Sequence, residues 1–283
     1  MSNKSDSQAL PRVAMLGVGS MGGAILAGLR GPGEHTSGPI TVTVNSVASA
    51  AAFADADDVV AYAAEETAEA NRWAVRGAQL VILAVKPWLI HEVLREVADD
   101  LEPEAIVVSV AAGITTASME ALVPATVSVV RAMPNTPANV GRGVTGVAGG
   151  ASASAGAVDI VRRLFQTVGA VIVLGEERLD ALGAVSGSGP AYLFLFVEEF
   201  QAAAERLGFS AEEAKVLAQG TVMGATELLS RSTESPAQLR RNVTSPNGTT
   251  ERAIEVLQSG EWGALFDRAF AAAMARSREI AQG

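Results

Sequence analysis

The chain has 283 residues, no cysteine, and 31 acidic against 21 basic side chains, which gives a net charge of −10 at pH 7. The lack of cysteine excludes disulfides, thiol catalysis and thiolate metal sites, and the negative charge argues against nucleic acid as a partner. No run reaches the roughly 18–20 unbroken apolar residues of a membrane span, and the N-terminus lacks a signal-peptide pattern. We therefore expect a cytoplasmic protein of up to two domains with no membrane or nucleic-acid partner.

The first predicted element is an apolar strand at 13–16, which breaks at Gly17 and resumes as a helix. The break carries a G-x-G-x-x-G motif at 17–22, called the glycine turn below. In such a motif Gly17 permits the tight turn, Gly19 lets a pyrophosphate approach the backbone, and Gly22 lets helix and strand pack closely. The motif is weak by itself, but strand, glycine turn and helix in this order predict a Rossmann-type dinucleotide site.

The second predicted strand, at 40–44, ends where an acidic residue would normally bind the adenosine ribose of NAD. Here the chain continues Asn45-Ser46-Val47, with no carboxylate to repel a 2′-phosphate. This favours NADP weakly, because no Lys or Arg follows to pair with the phosphate. Asn45 and Ser46 fit plain turn residues equally well.

Strands and helices continue to alternate up to residue 174. The strand predicted at 79–85 stops at Lys86-Pro87, and ligands of open parallel sheets bind at such strand ends. Lys86 therefore either lines a site or only caps a loop. The other predicted strands are at 59–60, 105–110, 126–131, 144–148 and 170–174, and the predicted helices are at 65–76, 89–101 and 152–168.

Beyond residue 175 the β-branched runs end and only helical patterns remain. The composition shift predicts a flexible tail at 1–11, a Rossmann NAD(P)-binding domain at 12–175 and an all-α domain at 176–283. Long apolar helices in a small domain commonly bury their faces against a second subunit, so we expect at least a dimer. The predicted helices of this half are at 178–185, 190–207, 211–230, 236–242, 250–258 and 261–282.

Two stretches of the helical half carry more than a helix start requires. The first, 185–192, places Ser and Gly residues directly before Pro190, so that another backbone or a cofactor ring can come close. The second, 243–250, places hydroxyls and free N–H groups at a helix N-terminus, which suits a substrate carboxylate. An elaborate capping loop is the alternative interpretation of the second stretch.

Five motifs occur here in the order seen in one enzyme family, and the chain resembles pyrroline-5-carboxylate reductases from about Arg12 to its C-terminus. That family reduces a cyclic imine to L-proline with NADPH or NADH. One departure is visible, because Asn247 stands where the family usually has the first glycine of Ser-Pro-Gly-Gly-Thr-Thr. Asn tolerates a positive φ, so we expect the loop to be kept. The motifs are Gly17-Val-Gly-Ser-Met-Gly22, Ala84-Val-Lys-Pro87, Met133-Pro-Asn-Thr-Pro137, Ser186-Gly-Ser-Gly-Pro-Ala-Tyr192 and Thr244-Ser-Pro-Asn-Gly-Thr-Thr250.

The resemblance also implies roles for individual residues and a homo-oligomer that dimerises through its C-terminal helices, with a decamer of dimers left open. No metal is implied, and the cofactor is NADPH with NADH as an alternative. The implied cofactor-binding residues are Leu16, Gly17, Val18, Gly19, Ser20, Met21, Ser46, Asn71, Ala84, Val85, Lys86, Pro87, Val110, Ala111, Ala112 and Asn242. The implied substrate-binding residues are Glu176, Ser245, Gly248, Thr249 and Thr250, and the implied catalytic residues are Thr250 and Lys86.

The hypothesis is direct hydride transfer to the imine carbon, with Thr250 as hydrogen-bond partner of the ring nitrogen. A β-hydroxyacid dehydrogenase-like enzyme or another imine reductase would use a lysine with a nearby Asn in the helical half. The one lysine there, Lys215, stands in mid-helix among Ala and Val. A non-catalytic NADP-binding sensor or scaffold is a further alternative, but it would not need the complete loop at 244–250.

Overall fold

The computed structural model describes residues 9–32 and 35–282, and within them eight strands form one sheet. The strands are β1 (Val13–Leu16), β2 (Ile40–Val44), β3 (Val59–Ala63), β4 (Leu80–Leu83), β5 (Ile106–Ser109), β6 (Ser128–Met133), β7 (Gly143–Gly149) and β8 (Gly169–Val173). Their order in the sheet is β3-β2-β1-β4-β5-β6-β7-β8. Strands β1 to β6 are parallel, and β7 runs antiparallel to β6. The order of β1 to β6 is that of a dinucleotide-binding sheet, with its switch point between β1 and β4.

Both faces of the sheet are buried at the central strands β1 and β4, which explains why these two strands are apolar at every position. In β1, Val13 and Met15 belong to one hydrophobic cluster, whereas Ala14 and Leu16 belong to the cluster on the other side. The helices of this part are α1 (Ser20–Leu29), α2 (Val47–Ala51), α3 (Ala70–Val75), α4 (Ile90–Val97), α5 (Thr116–Glu120) and α6 (Ala155–Gln166).

The described residues after β8 form helices joined by short loops, with no further strand among them. Its helices are α7 (Leu179–Leu182), α8 (Gly189–Arg206), α9 (Ala211–Arg231), α10 (Pro236–Asn242), α11 (Thr249–Gln258) and α12 (Trp262–Gln282). The chain divides into two compact units. The first unit comprises the residues up to Gly187 together with those from Met274 onward, and the second unit is Ser188–Ala273. The division falls later than residue 175, because α7 packs against β7 of the sheet.

Three sequence predictions differ from the structure. Leu10 was expected in the tail, but it is fully buried, donates its N–H to the His35 carbonyl at 2.8 Å and accepts from the Ser37 N–H at 2.9 Å. Residues 1–8 of that predicted tail lie outside the described residues. The helix predicted at 65–76 is shorter in the structure, where only α3 is helical. The five-residue helix α5 was not predicted from the sequence.

One stretch of described helix, Glu176–Arg206, is long and apolar enough to cross a membrane, with a mean hydropathy of 1.2 over its best window. It is built from a 3₁₀ turn, α7, a π-helical turn at Gly183–Gly187 and α8. The same length and composition occur in helices that pack inside soluble proteins, so this feature by itself does not indicate a membrane protein.

Candidate active site

Each of the three glycines of the glycine turn has the backbone angle or the surrounding space that the motif requires. Gly17 has φ +86°, and a Cβ there would lie 2.6 Å from Val85 Cγ1. A Cβ on Gly22 would lie 2.8 Å from the Gly17 carbonyl oxygen, whereas one on Gly19 would meet nothing within 4 Å. The predicted tight turn, close helix packing and open backbone face are therefore confirmed.

Thr43 on β2 holds the glycine turn in place. Its Oγ1 accepts from the Gly17 N–H at 3.0 Å, and its carbonyl oxygen accepts from the Val18 N–H at 3.0 Å. The N-cap of α1 is Gly19, whose lack of a side chain leaves the N–H groups of the first helical turn without a side-chain acceptor. Free N–H groups and the positive end of the helix dipole face the open side of the turn, as phosphate binding requires.

A cavity of about 500 Å³ opens over the glycine turn at the carboxyl ends of the parallel strands. This is the place where open parallel sheets bind ligands. Most of the cofactor residues implied by the sequence line it: Gly17, Val18, Gly19, Ser20, Met21, Ala84, Val85, Lys86, Pro87, Val110, Ala111 and Ala112. Five further lining residues were missed by the sequence analysis: Val44, Asn45, Ser49, Leu89 and Thr136. Of these, Asn45 and Thr136 lie in stretches that the sequence had singled out.

Three implied cofactor residues of the first unit do not line the cavity. Leu16 is fully buried in the sheet. Ser46 is the N-cap of α2, and its Oγ accepts from the Ser49 N–H at 3.2 Å. Asn71 in α3 donates from Nδ2 to Glu96 Oε2 at 2.9 Å. Leu16 directly precedes the lining residue Gly17 and Ser46 directly follows the lining residue Asn45, so both are next to the cavity in sequence.

Lys86 stands at the carboxyl end of β4, where Pro87 stops the strand and begins a 3₁₀ turn. The turn closes when the Leu89 N–H donates to the Lys86 carbonyl at 2.9 Å. The Lys86 side chain is exposed at the cavity and forms no ion pair with any described residue. Its ammonium is thus free to meet an anionic ligand.

Glu176 is fully engaged within the first unit. Its Oε1 accepts from the Thr116 N–H at 2.8 Å and from Arg131 Nη1 at 3.2 Å, and its Oε2 accepts from Thr116 Oγ1 at 2.5 Å. Arg131 lies on β6 and is only 5% exposed, and Asp180 Oδ1 approaches its Nη2 at 3.9 Å. The carboxylate therefore neutralises a buried guanidinium and joins α5 to β6.

The Met133–Pro137 and Ser186–Tyr192 motifs meet through Asn135, which is 7% exposed. Asn135 Nδ2 donates to the Ser186 carbonyl at 2.9 Å, and its Oδ1 accepts from the Val144 N–H at 2.8 Å. The Ser186 carbonyl belongs to the π-helical turn, whose irregular hydrogen bonding leaves it available. Ser188 occupies the N-cap position of α8, directly before Gly189 and Pro190, and its side chain makes no capping hydrogen bond there.

In the second unit, the loop at 244–250 keeps the conformation that the sequence predicts. Asn247 has φ +59°, and its N–H donates to Glu251 Oε2 at 2.8 Å. A Cβ on Gly248 would lie 2.9 Å from the Ser245 carbonyl oxygen, so this glycine is required by space. Gly248 is the N-cap of α11 and leaves the first turn without a side-chain cap.

Two threonine hydroxyls of this loop are open to ligand, whereas the Thr244 hydroxyl donates to the Arg240 carbonyl at 2.7 Å. Thr249 and Thr250 are exposed, and their hydroxyls make no hydrogen bond to any described residue. Asn242 ends α10 just before the loop, donates from Nδ2 to Glu234 Oε2 at 2.8 Å and accepts at Oδ1 from Gln238 Nε2 at 2.7 Å. The loop thus offers free N–H groups and two hydroxyls at the N-terminus of a ten-residue helix, an arrangement suited to a carboxylate.

The sheet order, the shape of the glycine turn and the cavity at the strand ends define a Rossmann-type dinucleotide-binding protein. Two family models match parts of the chain. One, described as "NADP oxidoreductase coenzyme F420-dependent", matches residues 12–113, and one described as "Pyrroline-5-carboxylate reductase dimerisation" matches residues 176–280. The first model coincides with the glycine turn and its cavity, and the second with the helical half.

Full-length relatives carry the same family name. The chain is 41% identical to pyrroline-5-carboxylate reductase of Pseudomonas aeruginosa, over 96% of this chain and 97% of that one. It is 36% identical to the enzyme of Corynebacterium melassecola, over 95% and 98% of the two chains. The solved structure of a pyrroline-5-carboxylate reductase from Coxiella burnetii matches with a TM-score of 0.88 and 37% identity, over 96% and 98% of the chains. The chain belongs to the pyrroline-5-carboxylate reductase family.

Proposed function

We propose that this protein reduces 1-pyrroline-5-carboxylate to L-proline, the last step of proline biosynthesis. The observation that carries the proposal is the cavity over the glycine turn, lined at the ends of β1, β4 and β5 by the residues expected to hold a nicotinamide cofactor. NAD(P)H bound there supplies the hydride that the imine carbon accepts. The protein's part is to fix the positions of the reactants, which can provide several kcal/mol of rate enhancement.

The cofactor side of the site is built from backbone and small side chains. The turn from Leu16 to Met21 receives the pyrophosphate on its free N–H groups. Ser46 and Asn71 serve the adenosine end, and Asn242 contributes from the helical half. The segments 84–87 and 110–112 flank the nicotinamide, where the small side chains of Ala111 and Ala112 leave room for a flat ring.

The substrate side is the loop before α11. The backbone N–H groups around Ser245 and from Gly248 to Thr250 bind the imine carboxylate, because they lie at a helix N-terminus without a side-chain cap. The Gly248 N–H already donates to the Ser245 carbonyl at 3.0 Å, so we assign the main donors to Thr249 and Thr250. The Thr250 hydroxyl forms a hydrogen bond with the ring nitrogen. No conventional general acid is needed on this side, since a protonated imine accepts hydride readily.

Two charged residues complete the proposal. The ammonium of Lys86 stabilises the negative charge of the reactants from the rim of the cavity. Glu176, implied as a substrate residue, acts indirectly in this proposal, because both its oxygens already accept hydrogen bonds from Thr116 and Arg131. We regard it as a positioning residue for β6 and α5.

For assembly and location, the family model that covers 176–280 supports a homo-oligomer. We assign the dimer interface to the C-terminal helices and propose a cytoplasmic enzyme that acts on a small molecule. A decamer of dimers is the higher assembly to test by light scattering, and a monomer at micromolar concentration would contradict this part of the proposal.

The direct test is NADPH or NADH consumption at 340 nm with 1-pyrroline-5-carboxylate, against a panel of keto and hydroxy acids. We expect turnover of the imine and none of the panel. No turnover of the imine, or faster turnover of a hydroxy acid, would overturn the proposal in favour of another dehydrogenase class.

Thr250→Ala tests the substrate side. The variant should lose about 10–100-fold in kcat/KM for the imine, since one hydrogen bond to the reacting group is removed, while its cofactor affinity stays unchanged. Thr250→Ser should restore most of the activity. Thr226→Ala is the matched control, because Thr226 bonds only to carbonyls of its own helix, α9. Activity of Thr250→Ala equal to that of the control would remove Thr250 from the mechanism.

A further inference from the structure

A carboxylate lies at the end of β2, although the residues directly after the strand, Asn45-Ser46-Val47, include none. Strand β3 lies beside β2, with Val44 opposite Ala63, and the chain leaves both strands together. The Glu65 N–H donates to the Asn45 carbonyl at 3.2 Å, and Glu65 Oε1 accepts from the Val47 N–H at 2.5 Å. Glu65 follows β3, but its carboxylate lies where an acidic residue at the end of β2 would place its own.

The position of Glu65 relates it to the cofactor cavity. The Glu65 backbone contacts Asn45, and its side chain contacts Val47. Asn45 and Ser49 line the cavity together with the glycine turn. The side chain is exposed, and its second oxygen, Oε2, has no hydrogen-bond partner among the described residues. A free carboxylate oxygen at the end of β2 is the acceptor that an adenosine ribose with two unmodified hydroxyls requires.

The chain around Glu65 supplies no counter-charge for a phosphate. From residue 45 to residue 71 the sequence has no Lys or Arg and has six carboxylates. The next basic residue, Arg72, is committed to Asp100, with Nε 2.6 Å from Oδ2, and to Glu69, with Nη1 3.1 Å from Oε2. Lys86 lines the same cavity, but it follows β4, which β1 separates from β2 in the sheet. A 2′-phosphate, which carries nearly two negative charges, would thus meet Glu65 with no cation from this part of the chain to pair with it.

We propose that Glu65 makes this site select NADH over NADPH, by accepting a hydrogen bond from the adenosine ribose and by repelling a 2′-phosphate. The inference rests on the cofactor half of the proposed function and adds the identity of the discriminating residue. It also refines the weak indication for NADP that the residues following β2 gave, because the acidic residue is supplied by β3 rather than by β2.

Cofactor binding without imine tests the proposal. The dissociation constants of NADH and NADPH are measured by fluorescence titration for the wild type, Glu65→Gln and Glu66→Gln. Glu65→Gln keeps an acceptor for the Val47 N–H, so α2 stays capped, while the negative charge is lost. Glu66→Gln is the matched control, because Glu66 is the exposed neighbour with the same charge and no side-chain hydrogen bond to a described residue.

We expect the wild type to bind NADH about tenfold or more tightly than NADPH, as repulsion between a carboxylate and a doubly charged phosphate would give. Glu65→Gln should tighten NADPH binding about tenfold and weaken NADH binding, and Glu66→Gln should change neither by more than about twofold. Equal wild-type affinities, or equal effects of the two substitutions, would overturn the proposal. Failure to bind either cofactor would overturn it together with the proposed function, whereas NADH selectivity without imine turnover would refute only the reductase.

Discussion

The two units of the chain differ in what covers their apolar side chains. In the first unit, Phe165 and the strand residues around it have no exposure at all. In the second unit, the buried hydrophobic residues among those described are only Ala214 and Ala218, while Phe194 is 68% and Leu195 58% exposed. The first unit completes its own core, whereas the second presents apolar helices that need a further surface, and the family model described as dimerisation covers those helices.

The largest expected effect comes from removing a core side chain of the first unit. Phe165→Ala should lower the free energy of unfolding by about 3–5 kcal/mol, because it leaves a cavity in a closed core. The loss, measured by denaturant titration, should be the same at every protein concentration.

Phe194→Ala is the counterpart in the second unit. It should shift the monomer–dimer equilibrium and make the unfolding midpoint more concentration-dependent, because the side chain is 68% exposed in the single chain and lies in the helices to which we assign the dimer interface. Sedimentation measures the association. A Phe194→Ala dimer as tight as the wild type would break the contrast between the units.

Glu176→Ala is expected to have the next largest effect. It leaves the buried Arg131 guanidinium without its carboxylate, which should cost about 3 kcal/mol of stability at all protein concentrations. Glu177→Ala, beside it in the same turn, should cost less than about 0.5 kcal/mol. If Glu176→Ala instead raised KM for the imine with unchanged stability, Glu176 would contact substrate directly.

Two glycines of the glycine turn are expected to affect different properties, Gly17 the stability of the fold and Gly19 the affinity for the cofactor. Gly17→Ala should cost about 2 kcal/mol, because φ +86° is strained for alanine and the new Cβ meets Val85. Gly19→Ala should leave stability within about 0.5 kcal/mol but weaken cofactor binding at least tenfold, since its Cβ enters the open face used by the pyrophosphate. Denaturation and cofactor titration of both variants measure the two effects, and unchanged cofactor affinity of Gly19→Ala would place the pyrophosphate elsewhere.

The smallest effect concerns acid stability. Hydrogen bonds from Arg72, and then from Arg76, hold the pKa of Asp100 below its usual value. A lowered folded-state pKa adds stability that is complete above the unfolded pKa and is lost as the pH falls through the folded one. Asp100→Asn should therefore be less stable than the wild type by about 1 kcal/mol at pH 7, with the difference shrinking below about pH 4. A difference that stayed constant down to pH 3 would contradict the assignment.

Much of the fold follows from local pattern. The apolar run of β1, the alternation in β2 and the bounds of α10 at 236–242 are predicted correctly, because burial and capping act within a few residues. The antiparallel direction of β7 cannot be predicted from local sequence pattern. It depends on which edge of the sheet is unpaired when the chain comes back after β6. Helix α5 has only five residues, too few for a periodic signal.

The site shows the same limit. The glycine turn and the positive φ of Asn247 are local and are predicted. The Thr43 hydrogen bond to Gly17 and the placement of Glu65 beside Asn45 join residues far apart in sequence, and they depend on the parallel register of β1, β2 and β3. The residues directly after β2, Asn45-Ser46-Val47, include no acidic side chain, although the sheet brings Glu65 there.

The last turns of α12 belong to the first unit, where Ser277 Oγ donates to Asp180 Oδ1 at 3.2 Å. This contact joins residues that are 97 positions apart in the sequence. For a chain made from its N-terminus on the ribosome, the sheet from β1 to β8 can assemble early, but Asp180 waits until almost the whole helical half has been synthesised. A chain cut before the last turns of α12 would keep its glycine turn and lack this hydrogen bond of the first unit.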